Sequence, residues 1–246
     1  MGFFFKGLST LKDHPHLKKW FALPLIIDFL VFIVGLIYLG GFVQGWVLSL
    51  TTWLTGVLGF LQSVDWLFAV IYYPLAFIAW VAFFILWIYL TFIIGTVVAA
   101  PFNGLLAEKT LVSLGVISEE KFTVMGWIKF TLSMLMASLV KAVVFSLFGL
   151  ILFICSFIPG LNVVSSFGAL LIVAFDCFDY AYEVLGYGFG KRLNRFISDL
   201  PRASGMAASL GMTLVIPGST LLLLPLGVLG ATTLLAETEQ TKNVMS

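Results

Sequence analysis

Charged positions divide this chain into long uncharged blocks. Asp28 alone interrupts an apolar run that begins at Trp20, and no charge occurs from Phe29 to Val64. A membrane-spanning helix takes about 20 apolar residues, so the pattern predicts one span over roughly residues 20–43. Gly40, Gly41, Gln44 and Gly45 then loosen the sequence, and Trp46, Trp53 and Phe60 recur at intervals of seven. That spacing puts the aromatics on one face of a separate helix, lying at the membrane surface or against a partner. The block from Trp66 to Ala107 predicts a second span, about 75–101, that ends near Pro101 and returns the chain to its starting side. Residues 104–141 carry mixed charge and predict a helix, a turn near Gly115, and an amphipathic interfacial helix.

Two more uncharged blocks, 142–175 and 203–236, each have Ile-Pro-Gly near the middle, at Ile158-Pro159-Gly160 and Ile216-Pro217-Gly218. The arms of the first reach roughly 22–24 Å at 1.5 Å per residue, and those of the second about 20 and 27 Å. The hydrocarbon core is about 30 Å thick. The lengths favour helical hairpins that dip into the bilayer and return, with two complete spans per block in a thinned membrane as the alternative. The expected fold is therefore an all-α integral membrane protein, one membrane domain over 1–246, with two full spans, two partly inserted hairpins and interfacial amphipathic helices. On this plan every Lys and Arg falls on one side and the opposite loop, 44–65, has none. The positive-inside rule then places both termini in the cytoplasm.

Composition agrees. Of 246 residues, 61% are hydrophobic and 10% charged, against about 45–50% and about 25% in soluble domains; the mean hydropathy is +1.12. Thirteen basic residues against twelve acidic ones leave no bulk charge for nucleic acid, so no nucleic-acid partner is expected. Cys155 and Cys177 offer neither a disulfide framework nor metal-ligand spacing, and the N-terminal apolar run exceeds the 7–15 residues of a signal peptide. No metal and no cofactor are expected.

Three constellations carry candidate chemistry. Broken apolar helices expose backbone groups that serve transport sites, or they form plain turns held by packing; Asn162, Ser165 and Ser166 follow the first tip, and Ser219 and Thr220 the second. Asp13-His14-Pro15-His16-Leu17-Lys18-Lys19-Trp20 reads as a helix start, with Pro15 in the first turn. Free amides there attract anions, with His16, Lys18 and Lys19 close by; alternatively the two lysines are ordinary anchors that snorkel to headgroups. Asp176, Asp179 and Glu183 align on one helical face, as a divalent-metal stripe or, more simply, as a salt-bridge network with Lys191, Arg192 and Arg195. Without a histidine cluster, a nucleophile triad or a phosphate-binding glycine loop, no enzyme is expected.

At these residues the chain resembles the CysZ-type sulfate permease family of bacterial inner membranes. The likeness lies in Ala99-Ala100-Pro101-Phe102-Asn103-Gly104-Leu105-Leu106-Ala107-Glu108-Lys109, in Pro15 to Phe21 followed by Leu23-Pro24-Leu25, and in Phe175 to Leu193 with Asp179-Tyr180 and Lys191-Arg192-Leu193. The resemblance implies sulfate uptake feeding cysteine synthesis, channel-like or ion-coupled, through a lipid-embedded homo-oligomer. It carries the sulfate site onto His16, Leu17, Lys18 and Lys19. Lysines stand here where the family has arginine, His16 where it has glycine, and Ala181-Tyr182 where it has proline and an Asn-His pair. Asn103, Glu108, Asn162, Asp179, Glu183, Arg192 and Arg195 are the candidates for the pathway. The competing expectations are a non-transporting membrane scaffold and a metal-dependent, lipid-modifying enzyme that uses the carboxylate stripe.

Overall fold

The computed structural model describes residues 2–59, 65–119, 123–213 and 219–245, and the structured segments among them are helical. In chain order they are α1 (Gly2–Asp13), α2 (Leu17–Val57), α3 (Asp65–Ser113), α4 (Val124–Cys155), α5 (Leu161–Val184), α6 (Phe189–Ser198), α7 (Leu200–Thr213) and α8 (Ser219–Met245). Among the described residues, Ala69–Trp87, Val124–Cys155 and Leu161–Val184 are long and apolar enough to cross a membrane.

The helices run further than the breaks in the sequence suggested. The span expected at 20–43 and the aromatic-striped helix expected after it form one helix, α2, and Trp46 and Trp53 lie exposed along it; Phe60 lies outside the described residues. Helix α3 continues through Pro101 to Ser113, so residues 104–113 extend that helix and form no separate one. The physical reason is common to both. Glycine disfavours a helix by about 1 kcal/mol and proline removes one backbone bond, but unwinding in hydrocarbon leaves several backbone groups unpaired at several kcal/mol each. A chain turn does occur at Gly115.

The interfacial helix expected before residue 141 is likewise the first part of α4. Only Met134, Ser138 and Lys141 are buried in it, while Leu132, Met136, Leu139, Val140 and Val143 point outward. Polar groups inside and apolar groups outside is the pattern of a helix solvated by lipid. The first hairpin therefore has arms longer than its uncharged block, because Lys141 and the acidic stripe lie within the helices and do not terminate them. Most amides of its turn bond locally: those of Ser156, Phe157, Ile158, Leu161 and Asn162 donate to nearby carbonyls, and Val163 donates to Asn162 Oδ1 at 2.8 Å. Gly160, at φ +87°, makes the reversal, a region in which L-residues with side chains are rare. Asn162 thus caps within the turn, and Ser165 is buried.

The chain divides into two compact units, residues 1–28 with 97–246, and residues 29–96. In the second, α2 and α3 run antiparallel. Trp87 Nε1 donates to Gly35 O at 3.1 Å, Thr91 closes over Gly35, and Trp46 meets Phe83 with ring centroids 6.5 Å apart.

In the first unit α8 forms the centre, with α1 on it and α5 and α7 packed nearby. Val228, Leu229, Ala231 and Thr232 are fully buried, so the arm expected to line the second hairpin is shielded by protein over 223–236. The tip Ile216-Pro217-Gly218 lies outside the described residues. Four consecutive residues near the end of α8 tie other elements to it. Glu237 pairs with Lys6 of α1, Thr238 accepts from Arg202 of α7, Glu239 pairs with Arg195 of α6, and Gln240 Nε2 donates to Leu114 O after α3.

Close approach of α1 and α8 depends on glycine. A Cβ at Gly230 would lie 2.4 Å from Phe3 O, and one at Gly7 would lie 2.9 Å from Leu226 O. Backbone oxygens cannot retreat as a flexible side chain does. Gly230→Ala should therefore cost about 1–3 kcal/mol, as overpacked cores do, and lower the unfolding temperature in detergent. Gly188→Ala is the control, with φ −64° and open space around it; equal melting of the two variants would refute the tight α1–α8 contact.

Candidate functional site

The expected anion site lies where α2 begins. Leu17 is fully buried and anchors the helix, leaving His16, Lys18 and Lys19 exposed around it. The first amides are already engaged: Leu17 N donates to His14 O at 3.0 Å and Lys18 N to Pro15 O at 3.2 Å. An anion here meets side chains ahead of free backbone amides, which differs from the free helix start expected from Pro15. His16 Nε2 lies 2.8 Å from Ser113 Oγ, whose hydroxyl donates to Lys109 O. With that hydroxyl proton committed, Nε2 is the donor to Ser113.

This contact brings the end of α3 against the start of α2. Two ammonium groups lie over the Trp20 ring, Lys19 at 5.3 Å and Lys109 at 5.8 Å from the centroid, and the ring face attracts both. Lys109 also holds Glu119 at 2.9 Å and Glu108 at 3.6 Å. Burial opposes the Lys109 charge, but the Glu119 hydrogen bond and the two carboxylate charges outweigh it and raise its pKa. The same bond lowers that of Glu119. Glu108 is thus a partner of Lys109 beside the N-terminal stretch.

The second polar centre is buried between α4, α5 and α6. Lys141 Nζ contacts Asp176 Oδ1 at 2.9 Å and Asp179 Oδ2 at 2.8 Å. Arg192 Nη1 contacts Asp179 Oδ2 and Glu183 Oε2, both at 3.0 Å. Tyr180 donates to Asp176 Oδ2 at 3.3 Å and places its ring 4.4 Å from the Lys141 ammonium. The carboxylate stripe is therefore a salt-bridge network, as the simpler expectation had it, although its membership differs. Arg192 belongs to it. Lys191 instead lies over Tyr187 at 4.0 Å, and Arg195 turns to Glu239. Lys141 is the member that sequence reading missed; its signal was a lone lysine directly before a 34-residue uncharged block, 35 positions from the acid it pairs with. Two cations face three carboxylates, a balance that does not attract a dianion.

The remaining candidates are spread out. Asn103 is fully buried on α3, Asn162 is exposed at the first hairpin turn, and Arg195 braces α8. The structure therefore groups His16, Leu17, Lys18, Lys19 and Glu108 at one place and Asp179, Glu183 and Arg192 at another.

Removing one partner of a buried ion pair costs roughly 3–5 kcal/mol, because the other is left uncompensated. Lys141→Met should therefore lower the thermal unfolding midpoint markedly. Adding Asp176→Asn restores the charge balance and should recover part of the loss. No change for Lys141→Met would mean that the network does not contribute to stability.

The sequence comparisons agree with these features. A family model described as "Sulfate transporter CysZ/Etoposide-induced protein 2.4" matches residues 3–229. Three relatives, each called "Sulfate transporter CysZ", match along most of both chains. That of Pseudomonas fluorescens is 32% identical over 92% of this chain and 88% of its own. That of Pseudomonas aeruginosa PAO1 is 27% identical over 92% and 90%, and that of Vibrio atlanticus is 28% identical over 94% and 89%. With the family model matching all but the chain's ends, the chain belongs to the sulfate transporter CysZ/etoposide-induced protein 2.4 family.

Proposed function

We propose that this chain transports sulfate across a membrane and meets the anion at His16, Leu17, Lys18 and Lys19. One observation carries the choice of site. Lys6, Lys109, Lys141, Arg192, Arg195 and Arg202 each have a carboxylate partner. Among the described residues Lys12, Lys18, Lys19, Lys129 and Lys191 have none, and of these Lys18 and Lys19 are the adjacent, exposed pair at the start of α2. Two ammonium groups without carboxylate partners, one of them over the Trp20 ring, beside a histidine donor are what a doubly charged oxyanion needs on leaving water, since charge-assisted hydrogen bonds supply about 1.5–3 kcal/mol each. The relatives, each called a sulfate transporter, supply the identity of the ligand.

In this reading the chain is one membrane domain of the bacterial inner membrane, with both termini in the cytoplasm. It has two full spans and two partly inserted hairpins, and it assembles with copies of itself. The first hairpin supports partial insertion. Phe157, Ile158, Val163 and Val164 at its turn are exposed and apolar, while most of the turn's amides are internally bonded, so the tip suits hydrocarbon better than water. The exposed Trp46 and Trp53 are the candidate contact between copies. Asn103, Glu108, Asn162, Asp179, Glu183, Arg192 and Arg195 are the positions at which the passage is to be tested, and flow follows a gradient or a coupled ion.

Two experiments test this reading. Lys18→Ala with Lys19→Ala should weaken sulfate binding about tenfold or more in calorimetric titration, where 1.4 kcal/mol is a factor of ten. Arginine at both positions should keep or improve it, since the guanidinium fork matches the oxyanion. Parent-like binding by the double alanine variant would reduce the lysines to membrane anchors. For the hairpin, a membrane-impermeant thiol reagent applied outside should label Asn162→Cys slowly; rapid labelling would defeat partial insertion.

A further inference from the structure

Hydroxyls in these helices usually donate to a carbonyl of their own turn, as Thr52, Thr110 and Thr232 do. Thr131 and Ser138 on α4 do not. Their oxygens are buried without a hydrogen-bond partner, and so are both amide atoms of Asn103, Asp179 Oδ1 and Arg192 Nε. Asn103 and Asp179 are fully buried residues. An unpaired buried polar atom costs about 1–3 kcal/mol, so six such atoms in one unit call for an occupant.

Their placement is ordered. Thr131, Met134, Ser138 and Lys141 follow at i, i+3, i+7 and i+10, along one face of α4 about 15 Å long. Gly104 of α3, next to Asn103, meets Met134 and Phe130 on that helix. At the other end Lys141 touches Asp179, and Asp179 shares Arg192. The unpaired hydroxyls of α4 thus lie along one seam, with Gly104 of α3 packed on it at Met134 and the ion network, which holds Asp179 and Arg192, at its Lys141 end.

We propose that this seam holds a chain of ordered water molecules. The mixture of groups selects the ligand. Hydroxyls, an amide NH₂ and a guanidinium Nε–H donate, whereas an amide oxygen and a carboxylate oxygen accept; water serves both kinds and makes about three bonds at such sites. A dianion would leave the acceptors unmet and would face the third carboxylate of the adjoining network. The water completes the hydrogen-bond shells of Asp179 and Arg192.

Met134 is a built-in reporter, only 2% exposed between Thr131 and Ser138. In X-ray radiolytic footprinting of the intact protein, hydroxyl radicals formed from a bound water oxidise the side chains beside it. Met134 should oxidise at least several-fold faster than Met206, which is fully buried against Gly227 in an apolar setting. Ser138→Ala should slow Met134 oxidation, and Asn103→Leu should lower the unfolding temperature. Equal protection of both methionines, or stabilisation by Asn103→Leu, would show a dry seam and overturn the proposal. Suppression of Met134 oxidation by saturating sulfate would assign the seam to the anion, and would also overturn it. None of these readouts depends on Lys18 or Lys19.

Discussion

The Lys141 ammonium, buried between Asp176 and Asp179, is the constraint around which the first unit is built. A charge of that kind has no place in hydrocarbon unless it is paired and hydrogen-bonded. Pairing it fixes α4 against α5, and Arg192 then fixes α6 against the shared Asp179 and against Glu183. Aromatic rings close around the network: Phe175 meets Phe145 of α4 at 5.5 Å and Phe196 of α6 at 5.1 Å, both edge to face. The rest of α4 is largely apolar, because its buried polar residues, Ser138 and Lys141, share one face.

The same accounting explains why the helices are so long. Backbone that leaves a helix inside lipid must find partners at once. At 156–163 it does, through a turn most of whose amides bond locally. At Gly40–Gly41 and at Pro101 no such turn exists, and the chain stays helical.

Much of this was legible in the sequence, and the misses have physical causes. Uncharged block lengths identified the helical segments, and Ile158-Pro159-Gly160 identified a real reversal. Treating charges as helix ends failed at Lys141 and Asp176, because pairing lets a charge lie within a buried helix and the pair is remote in sequence. Glycine and proline likewise failed as stops in α2 and α3, where the penalties that apply in water are outweighed. At the candidate site, Lys18 and Lys19 were legible as neighbouring cations ahead of an apolar run. Their lack of acidic partners was not, since it depends on where twelve carboxylates end up. Nor was the meeting of His16 with Ser113, 97 positions away.

The α1–α8 contact has a consequence for biosynthesis. Thr10 and Thr233, which share a hydrogen bond, are 223 positions apart. At about 5–20 residues per second, α1 leaves the ribosome on the order of ten seconds or more before α8 exists to receive it. During that interval Gly7 and the rest of its inner face have no partner within the chain. The apolar side of α1, with Phe3, Phe4 and Leu11, then needs lipid or a chaperone as a temporary surface, and the first unit closes only after translation has reached Glu237–Gln240. Assembly of this unit is thereby made late and cooperative, whatever the order in which its membrane helices are inserted.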